Sequence, residues 1–192
     1  MDFHVRGVLF DMDGTLTRPT LDFDAIRRDM RLPPGQAILE AMDELSPADR
    51  AEAERVLHRH EQTDAEASEL DPACHDVLQE LDRRDLPFAV ITRNSRMVVE
   101  TVWRVHALPP CPTIARDDGL PFKPDPTPLH IAAERIGRRC SECLMVGDSV
   151  FDIEAGNAAG CLSVWISHGE DRPFDDEPAV TIASLGELLG HL

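Results

Sequence analysis

The chain has 192 residues, of which 36 are Asp or Glu and only 19 are Lys or Arg, giving a formal net charge of −17. This length suits one buried α/β core with a modest insertion, and it excludes two full-sized domains. Such an excess of negative charge disfavours nucleic acid and membrane surfaces as partners. Because we also find no apolar run of about 20 residues and no basic and then apolar leader, we expect a soluble cytoplasmic protein.

The cysteine content predicts reduced thiols. An odd number of cysteines scattered through a well-cored chain does not resemble a disulfide framework. Cys140 and Cys143 have the spacing of a redox pair or half of a zinc site, but no second pair accompanies them, and Cys143 opens an apolar segment. We therefore interpret them as buried structural residues. The five cysteines are Cys74, Cys111, Cys140, Cys143 and Cys161.

Short apolar runs rich in β-formers predict five strands. They alternate with segments of helical periodicity, which indicates a parallel sheet with helices on both faces, a three-layer Rossmann-like α/β core. The predicted strands are 5–10, 88–92, 113–115, 143–147 and 162–166, and the predicted helices are 73–84, 96–107, 126–137 and 150–159. Asp125 and Ser149 are predicted N-caps, and Ser184 is predicted to open a last short helix.

Residues 17–70 interrupt this alternation, because they contain no strand-like run. They predict a small all-helical cap inserted into a core domain formed by residues 1–16 and 71–192. The segment 21–31 predicts a first helix that stops at Pro33 and Pro34, and a second follows to Leu45. Ser46 and Pro47 then have the signature of a helix start. A helical insertion after an active-site loop is a candidate lid that excludes water and selects substrates.

Four polar segments together offer the groups that phosphoryl transfer needs, and three of them, at Asp11, Thr92 and Asp148, fall at the C-terminal ends of predicted strands. Asp11 and Asp13 stand two residues apart, so that one can attack phosphorus while the other acts as acid and base. Gly14 permits a tight turn. Thr92 offers a hydroxyl and the backbone donors that follow it, and Lys123, between two prolines, offers a cation held in a stiff loop.

Asp148 and Asp152 add further carboxylates at the start of the helix after the fourth strand. Several carboxylates at one sheet edge repel one another unless a cation joins them, and ligands that are all oxygen suit Mg²⁺. The sequence therefore predicts a magnesium site. His168, after the fifth strand, could approach this edge, but we expect an exposed loop histidine. Arg27, Arg28 and Arg31 of the first cap helix are expected on a solvated face.

These segments resemble the motifs of the haloacid dehalogenase superfamily, in its phosphoglycolate phosphatase-like branch. The stretch 11–16 (DMDGTL) is similar to the first family motif, Thr92 to the second, Lys123-Pro124 to the third and the stretch 147–152 (GDSVFD) to the fourth. The resemblance implies a helical cap after the first motif. It also implies Asp11 as the nucleophile, Asp13 as the acid and base, Thr92 and Lys123 as phosphate ligands, and Asp11, the Asp13 carbonyl and Asp148 as Mg²⁺ ligands, with Asp152 close to the metal.

The chain departs from the family pattern at two places. Arg93 follows Thr92 where the family commonly has Asn or Gly, and Asn94 comes one place later; we expect the backbone donor to survive and include Arg93 with Gly14 among the phosphate-binding residues. The cap is also short for this branch, which leaves the size of the substrate open.

The sequence thus predicts a Mg²⁺-dependent phosphatase, active as a monomer or homodimer on a small phosphorylated metabolite such as phosphoglycolate or a sugar phosphate. Two alternatives stay open at this point. One is a phosphomutase of the β-phosphoglucomutase type, which shares such a site but returns the phosphoryl group to the substrate. The other is a non-catalytic binding module on the same fold. A dehalogenase is disfavoured because that chemistry does without a second aspartate, and this chain has Asp13.

Overall fold

A computed structural model describes residues 4–192, and its centre is a six-stranded, fully parallel sheet. The strands are β1 (Gly7–Phe10), β2 (Phe88–Ile91), β3 (Thr113–Ile114), β4 (Cys143–Gly147), β5 (Leu162–Ile166) and β6 (Val180–Ile182). Their order across the sheet is β3-β2-β1-β4-β5-β6. The predicted parallel α/β core is confirmed, and β1 lies between β2 and β4.

Helices cover both faces of the sheet because side chains alternate along its buried strands. The helices are α1 (Phe23–Met30), α2 (Ile38–Asp43), α3 (Pro47–Ala67), α4 (Cys74–Arg83), α5 (Arg96–His106), α6 (Thr127–Arg135) and α7 (Val150–Ala159), with short 3₁₀ helices at Cys140–Glu142 and Leu185–Gly190. Val8 and Phe10 pack in one apolar cluster with residues of α4 and α5. Leu9 packs in a second cluster with residues of α6 and α7.

Residues 17–70, which we call the cap segment, hold α1, α2 and α3 between β1 and α4. The two segments that connect the cap segment to the core run side by side, and an antiparallel β-bridge joins Thr17 to Leu70. The cap segment has its own small apolar cluster, which includes Ile26, Met42 and Leu57. The division of the chain into a core domain and a cap domain at these boundaries stays a prediction.

Local sequence signals account for several helix ends. The Ser46 side chain caps α3 by accepting a hydrogen bond from the Asp49 N–H, and Pro47 occupies the first position of that helix. Ser149 precedes α7 as predicted. Asp125 was expected as the N-cap of α6, but Pro126 occupies that position, and the Asp125 carboxylate accepts from the Thr127 N–H instead. The last short helix after Ser184 is a 3₁₀ helix.

The main difference from the predicted elements is β6, which the sequence prediction lacks. β6 has only three residues, and its place is fixed by pairing with β5 rather than by a run of apolar residues. Among residues 4–192, no helix combines the length and the apolar character that a membrane crossing requires. All five cysteines are free.

Candidate active site

The predicted site residues meet at the carboxyl edge of the three central strands. Asp11 follows β1, Thr92 follows β2 and Asp148 follows β4, so the sheet order places Thr92 and Asp148 on either side of Asp11. The Asp11 N–H donates to the Val146 carbonyl oxygen at 2.9 Å, and the Thr92 N–H donates to that of Ile114 at 3.0 Å. The backbone ladders therefore hold these residues in fixed register with their neighbouring strands.

Lys123 lies between the carboxylates of Asp11 and Asp152. Its Nζ lies 2.6 Å from Asp11 Oδ1 and 2.6 Å from Asp152 Oδ1, and the lysine is only 1% exposed. Asp152 is fully buried, and its other oxygen, Oδ2, accepts from the Ser149 N–H and hydroxyl. A buried ammonium group between two carboxylates has little freedom to move, so Lys123 is a fixed cation beside Asp11.

Two glycines allow the acidic groups to come close. Gly14 has a φ of +77°, and a Cβ built there would lie 2.0 Å from Asp148 Oδ2. A Cβ built on Gly147 would lie 2.2 Å from Asp152 Cγ. Any larger residue at position 14 or 147 would displace one of these aspartates, so the packing of the site requires both glycines, and at Gly14 the positive φ requires one as well.

Asp13 lies beside Asp11 and has two hydrogen-bond donors. The Thr17 hydroxyl donates to Asp13 Oδ1 at 3.2 Å, and the Asn94 carboxamide donates to Asp13 Oδ2. The Asn94 N–H also donates to the Thr92 hydroxyl oxygen at 3.1 Å. These contacts orient the Asp13 carboxyl group toward the same cavity that Asp11, Thr92 and Lys123 line.

The site holds more negative than positive charge. Burial raises the pKa of Asp11 well above its usual value against the attraction of Lys123, and the other aspartates raise it further. Burial and the neighbouring Asp152 raise the pKa of Asp148 to about 7. Burial lowers the pKa of Lys123, but its two carboxylate partners outweigh this and leave the pKa above the usual value. Lys123 pairs with Asp11 and Asp152, and the neighbouring carboxylates help to raise the pKa values of Asp11 and Asp148.

The donor set suits a hard divalent cation. Asp11, Asp148 and Asp152 each offer a carboxylate oxygen, and these oxygens all lie within 4.8 Å of one another. Oxygen ligands alone are typical of Mg²⁺ sites, and a divalent cation would supply the positive charge that the three aspartates lack. The residues present therefore fit the predicted metal.

Burial also raises the pKa of Asp13, to about 6, although the hydrogen bonds from Asn94 and Thr17 lower it. Asp64 and Glu61 of α3 add to the increase through their negative charge. A carboxyl group with a pKa nearer neutrality is better suited to exchange a proton with a reacting group than an ordinary exposed aspartate.

Arg93 lies at the cavity wall, but its guanidinium group is engaged elsewhere. Its Nη2 donates to both carboxylate oxygens of Glu40 of α2, at 2.7 and 2.8 Å, and its Nη1 donates to the Lys123 carbonyl oxygen at 3.0 Å. It also packs over the rings of Phe122 and Phe151, with centroid distances of 4.9 and 4.0 Å. The sequence prediction includes Arg93 among the phosphate-binding residues through its backbone donor, and this stays a prediction. The Arg93 side chain connects the core to the cap segment.

A second ion pair between core and cap segment was not predicted. Arg116, after β3, forms a bidentate pair with Glu61 of α3, at 2.6 and 2.9 Å, and also donates to the Arg93 carbonyl oxygen at 2.7 Å. Glu61 is only 3% exposed. These two residues are 55 positions apart, and no local pattern marks them as a pair.

Other residues around the site carry weak sequence signals. Asn94 was noted as displaced by one place from its usual position, but its bond to Asp13 was not foreseen. Thr17 lies just after the first motif, where it was assigned to the cap. His168 is exposed as expected, yet its Nε2 lies 2.7 Å from the Gly14 carbonyl oxygen and so supports the turn between Asp13 and Thr15.

Comparison with known proteins assigns the family. Residues 5–160 match the model of the haloacid dehalogenase-like hydrolases. Among curated relatives, an N-acetylmuramic acid 6-phosphate phosphatase of Pseudomonas aeruginosa is 30% identical over 91% of this chain and 87% of its own. A phosphoglycolate phosphatase of Escherichia coli O157:H7 is also 30% identical, over 94% of this chain and 72% of its own.

Solved structures agree on the fold. The crystal structure of a hydrolase from Pseudomonas syringae superposes with a TM-score of 0.81 and covers 97% of both chains at 22% identity. The chain therefore belongs to the haloacid dehalogenase-like hydrolase family, and the predicted family and hydrolase class are both confirmed.

Proposed function

We propose that this protein is a magnesium-dependent phosphatase that hydrolyses a small phosphate monoester through a phosphorylated Asp11. The observation that carries the proposal is the contact between Lys123 Nζ and Asp11 Oδ1 at 2.6 Å, with Asp13 and Thr92 lining the same cavity. An anionic nucleophile beside a fixed cation, with a second carboxyl group at hand for proton transfer, is the arrangement that phosphoryl transfer to an aspartate requires.

The proposed reaction has two displacements at phosphorus. In the first, an Asp11 carboxylate oxygen forms a bond to phosphorus, the bond from phosphorus to the ester oxygen breaks, and Asp13 gives its proton to the departing oxygen. In the second, a water molecule attacks the phosphorus of phospho-Asp11 and passes a proton to Asp13. The bond from phosphorus to Asp11 then breaks, and inorganic phosphate leaves.

Each remaining site residue has a role in this proposal. Thr92, Lys123 and the backbone near Gly14 hold the non-bridging oxygens of the phosphoryl group. The carboxylates of Asp11, Asp148 and Asp152 and the carbonyl of Asp13 would hold Mg²⁺, which when bound offsets the negative charge of the phosphoryl group. The side chain of Arg93 is left out of the clamp, because it is paired with Glu40.

The substrate in this proposal is a small phosphorylated metabolite, because the cavity of about 350 Å³ suits a small molecule. Relatives named for phosphate esters support the same reaction class. A cytoplasmic location is part of the proposal and is supported by five free cysteines.

The test is phosphate release from a panel of phosphomonoesters, with Mg²⁺ and with chelator. We expect turnover only with Mg²⁺ and a loss of at least about 1,000-fold in Asp11→Asn. The matched control is Asp85→Asn, which makes the same chemical change on an exposed residue before β2, at the opposite edge of the sheet. Full activity in Asp11→Asn contradicts the proposal. Isomerisation of a sugar phosphate with little free phosphate would instead identify the mutase.

A further inference from the structure

The cavity above Asp11 has two chemically different walls. The sheet edge supplies the reactive groups of the candidate site, among them Asp11, Asp13 and Lys123. The opposite wall comes from the cap segment and is mainly apolar, formed by Leu21, Phe23, Ile26, Ile38, Leu39 and Leu57. A phosphoryl group bound at the sheet edge would therefore direct the rest of its ester toward an apolar surface.

The cations around this cavity are already paired. Within the part of the chain that the structure describes, each cationic side chain in the lining forms an ion pair with a carboxylate. Lys123 is assigned to the phosphoryl group, and no unpaired cation is left in the described lining to meet an anionic leaving group. The pairs are Arg27–Asp24, Arg93–Glu40, Arg116–Glu61, Lys123–Asp11 and Arg172–Glu170. The two that tie the cap segment to the core, from Arg93 and Arg116, have side chains only 19% and 20% exposed.

Asp64 is a charged cap residue in this lining that, unlike Arg27 and Glu61, has no ion-pair partner among residues 4–192. It lies on α3 and is half-buried, and its carboxylate has no hydrogen bond or ion pair to any residue in 4–192. Glu61, one turn earlier on the same helix, is neutralised by Arg116, but Asp64 has no such partner. A half-buried, unpaired carboxylate in a cavity attracts a donor or a cation and repels an anion.

We infer that the leaving group of the substrate is neutral or cationic, with an apolar face against the cap segment and a hydroxyl or ammonium donor toward Asp64. This inference rests on the proposed function and narrows its substrate class. It predicts a lower kcat/KM for esters that carry a carboxylate or a second phosphate, phosphoglycolate included, than for neutral or amino-bearing esters. Asp64 acts in it as a specificity-determining residue.

The experiment compares three benzyl phosphates that carry an aminomethyl, a methyl or a carboxyl group in the para position. Their ester bonds are similar in reactivity, and the ring presents an apolar face in each, so they differ chiefly in charge. We expect kcat/KM to fall by about tenfold from the methyl to the carboxyl ester, as one like charge across a partly solvated cavity would cause. The aminomethyl ester should be at least as good as the methyl ester.

The variant Asp64→Asn identifies the source of that preference. It should raise the ratio of kcat/KM for the carboxyl ester over the aminomethyl ester by about tenfold. Because both esters meet the same Asp13, any effect of Asp64 on the proton transfer cancels in this ratio. The control Glu66→Gln removes one charge from the same helix at an exposed position outside the cavity, and it should leave the ratio unchanged.

The outcomes separate the inference from the proposed function. If the phosphomonoester panel is hydrolysed but the carboxyl ester is preferred, or if Asp64→Asn leaves the ratio where it was, the inference is overturned while the phosphatase stands. Panel activity with no turnover of any benzyl ester likewise overturns the inference. A panel without any phosphate release contradicts the proposed function, and the inference fails with it.

Discussion

The ion pair between Arg116 and Glu61 joins the core to the cap segment, and we predict that Arg116→Met strongly destabilises the protein. The substitution leaves the Glu61 carboxylate, 3% exposed, without its two donors at 2.6 and 2.9 Å. Removing one partner of a buried pair costs about 3–5 kcal/mol, and because the Arg116 side chain is 20% exposed we expect the lower end, about 3 kcal/mol. For a chain of this size that corresponds to a decrease in Tm of about 6–12 °C.

The assay is thermal unfolding followed by circular dichroism, with urea unfolding as a second measurement. The double variant Glu61→Met/Arg116→Met removes both charges, so it should recover most of the lost stability, since two apolar side chains replace a pair that was costly to desolvate. The control Arg50→Met removes the exposed pairs to Asp43 and Glu54 and should leave Tm almost unchanged.

The reasoning is refuted if Arg116→Met unfolds at the same temperature as Arg50→Met. It is also refuted if the double variant is as unstable as the sum of its two single variants, because the charges would then act independently.

Three further predictions concern the site. Asn94→Ala should reduce kcat by about tenfold to hundredfold in steady-state assays with no change in the Mg²⁺ requirement, because Asp13 loses a donor and not a metal contact. Gly14→Ala should abolish turnover, whereas Gly35→Ala, at a similar φ of +76° but with open space around its Cβ, should cost only about 1 kcal/mol in urea unfolding and keep full activity. Mg²⁺ should raise the Tm of the wild type in a thermal shift assay and have little effect on Asp148→Asn, which lacks one carboxylate ligand.

Each of these has a clear opposing result. An unchanged kcat in Asn94→Ala would show that the Asn94 carboxamide does not assist proton transfer by Asp13. Equal activities for Gly14→Ala and Gly35→Ala would show that close packing against Asp148 is unimportant. A full Mg²⁺ shift in Asp148→Asn would place the cation elsewhere.

The sequence predicts the core well because its signals are local. Runs such as 143–147 are apolar throughout, which marks strands buried on both faces, and the helices between them begin at recognisable caps such as Ser149. β6 has neither feature: Val180–Ile182 follows a loop rich in Asp and Glu, and only its pairing with β5 makes it a strand. Its absence from the prediction reflects a tertiary contact that no short window contains.

The site likewise has residues that local sequence signals predict and contacts that only tertiary packing determines. Asp11, Thr92 and Asp148 were predicted because each follows a strand, and the order of parallel strands brings their ends together. The pairing of Arg93 with Glu40 depends on how the cap segment packs over the sheet, 53 positions away in sequence. No local signal therefore marks the Arg93 side chain as paired, and none singles out Asp64 among the acidic residues of α3.

The central claim is that Asp11 accepts the phosphoryl group, and peptide mapping by mass spectrometry tests it most directly. Acetyl phosphate has a leaving group that needs no acid, so it should phosphorylate the Asp13→Asn variant, which lacks the base for the second step. We predict a phosphoryl group on Asp11 in Mg²⁺ and none in Asp11→Asn/Asp13→Asn. The account would be contradicted if the wild type releases phosphate but Asp13→Asn carries no phosphoryl group, or carries it on a residue other than Asp11.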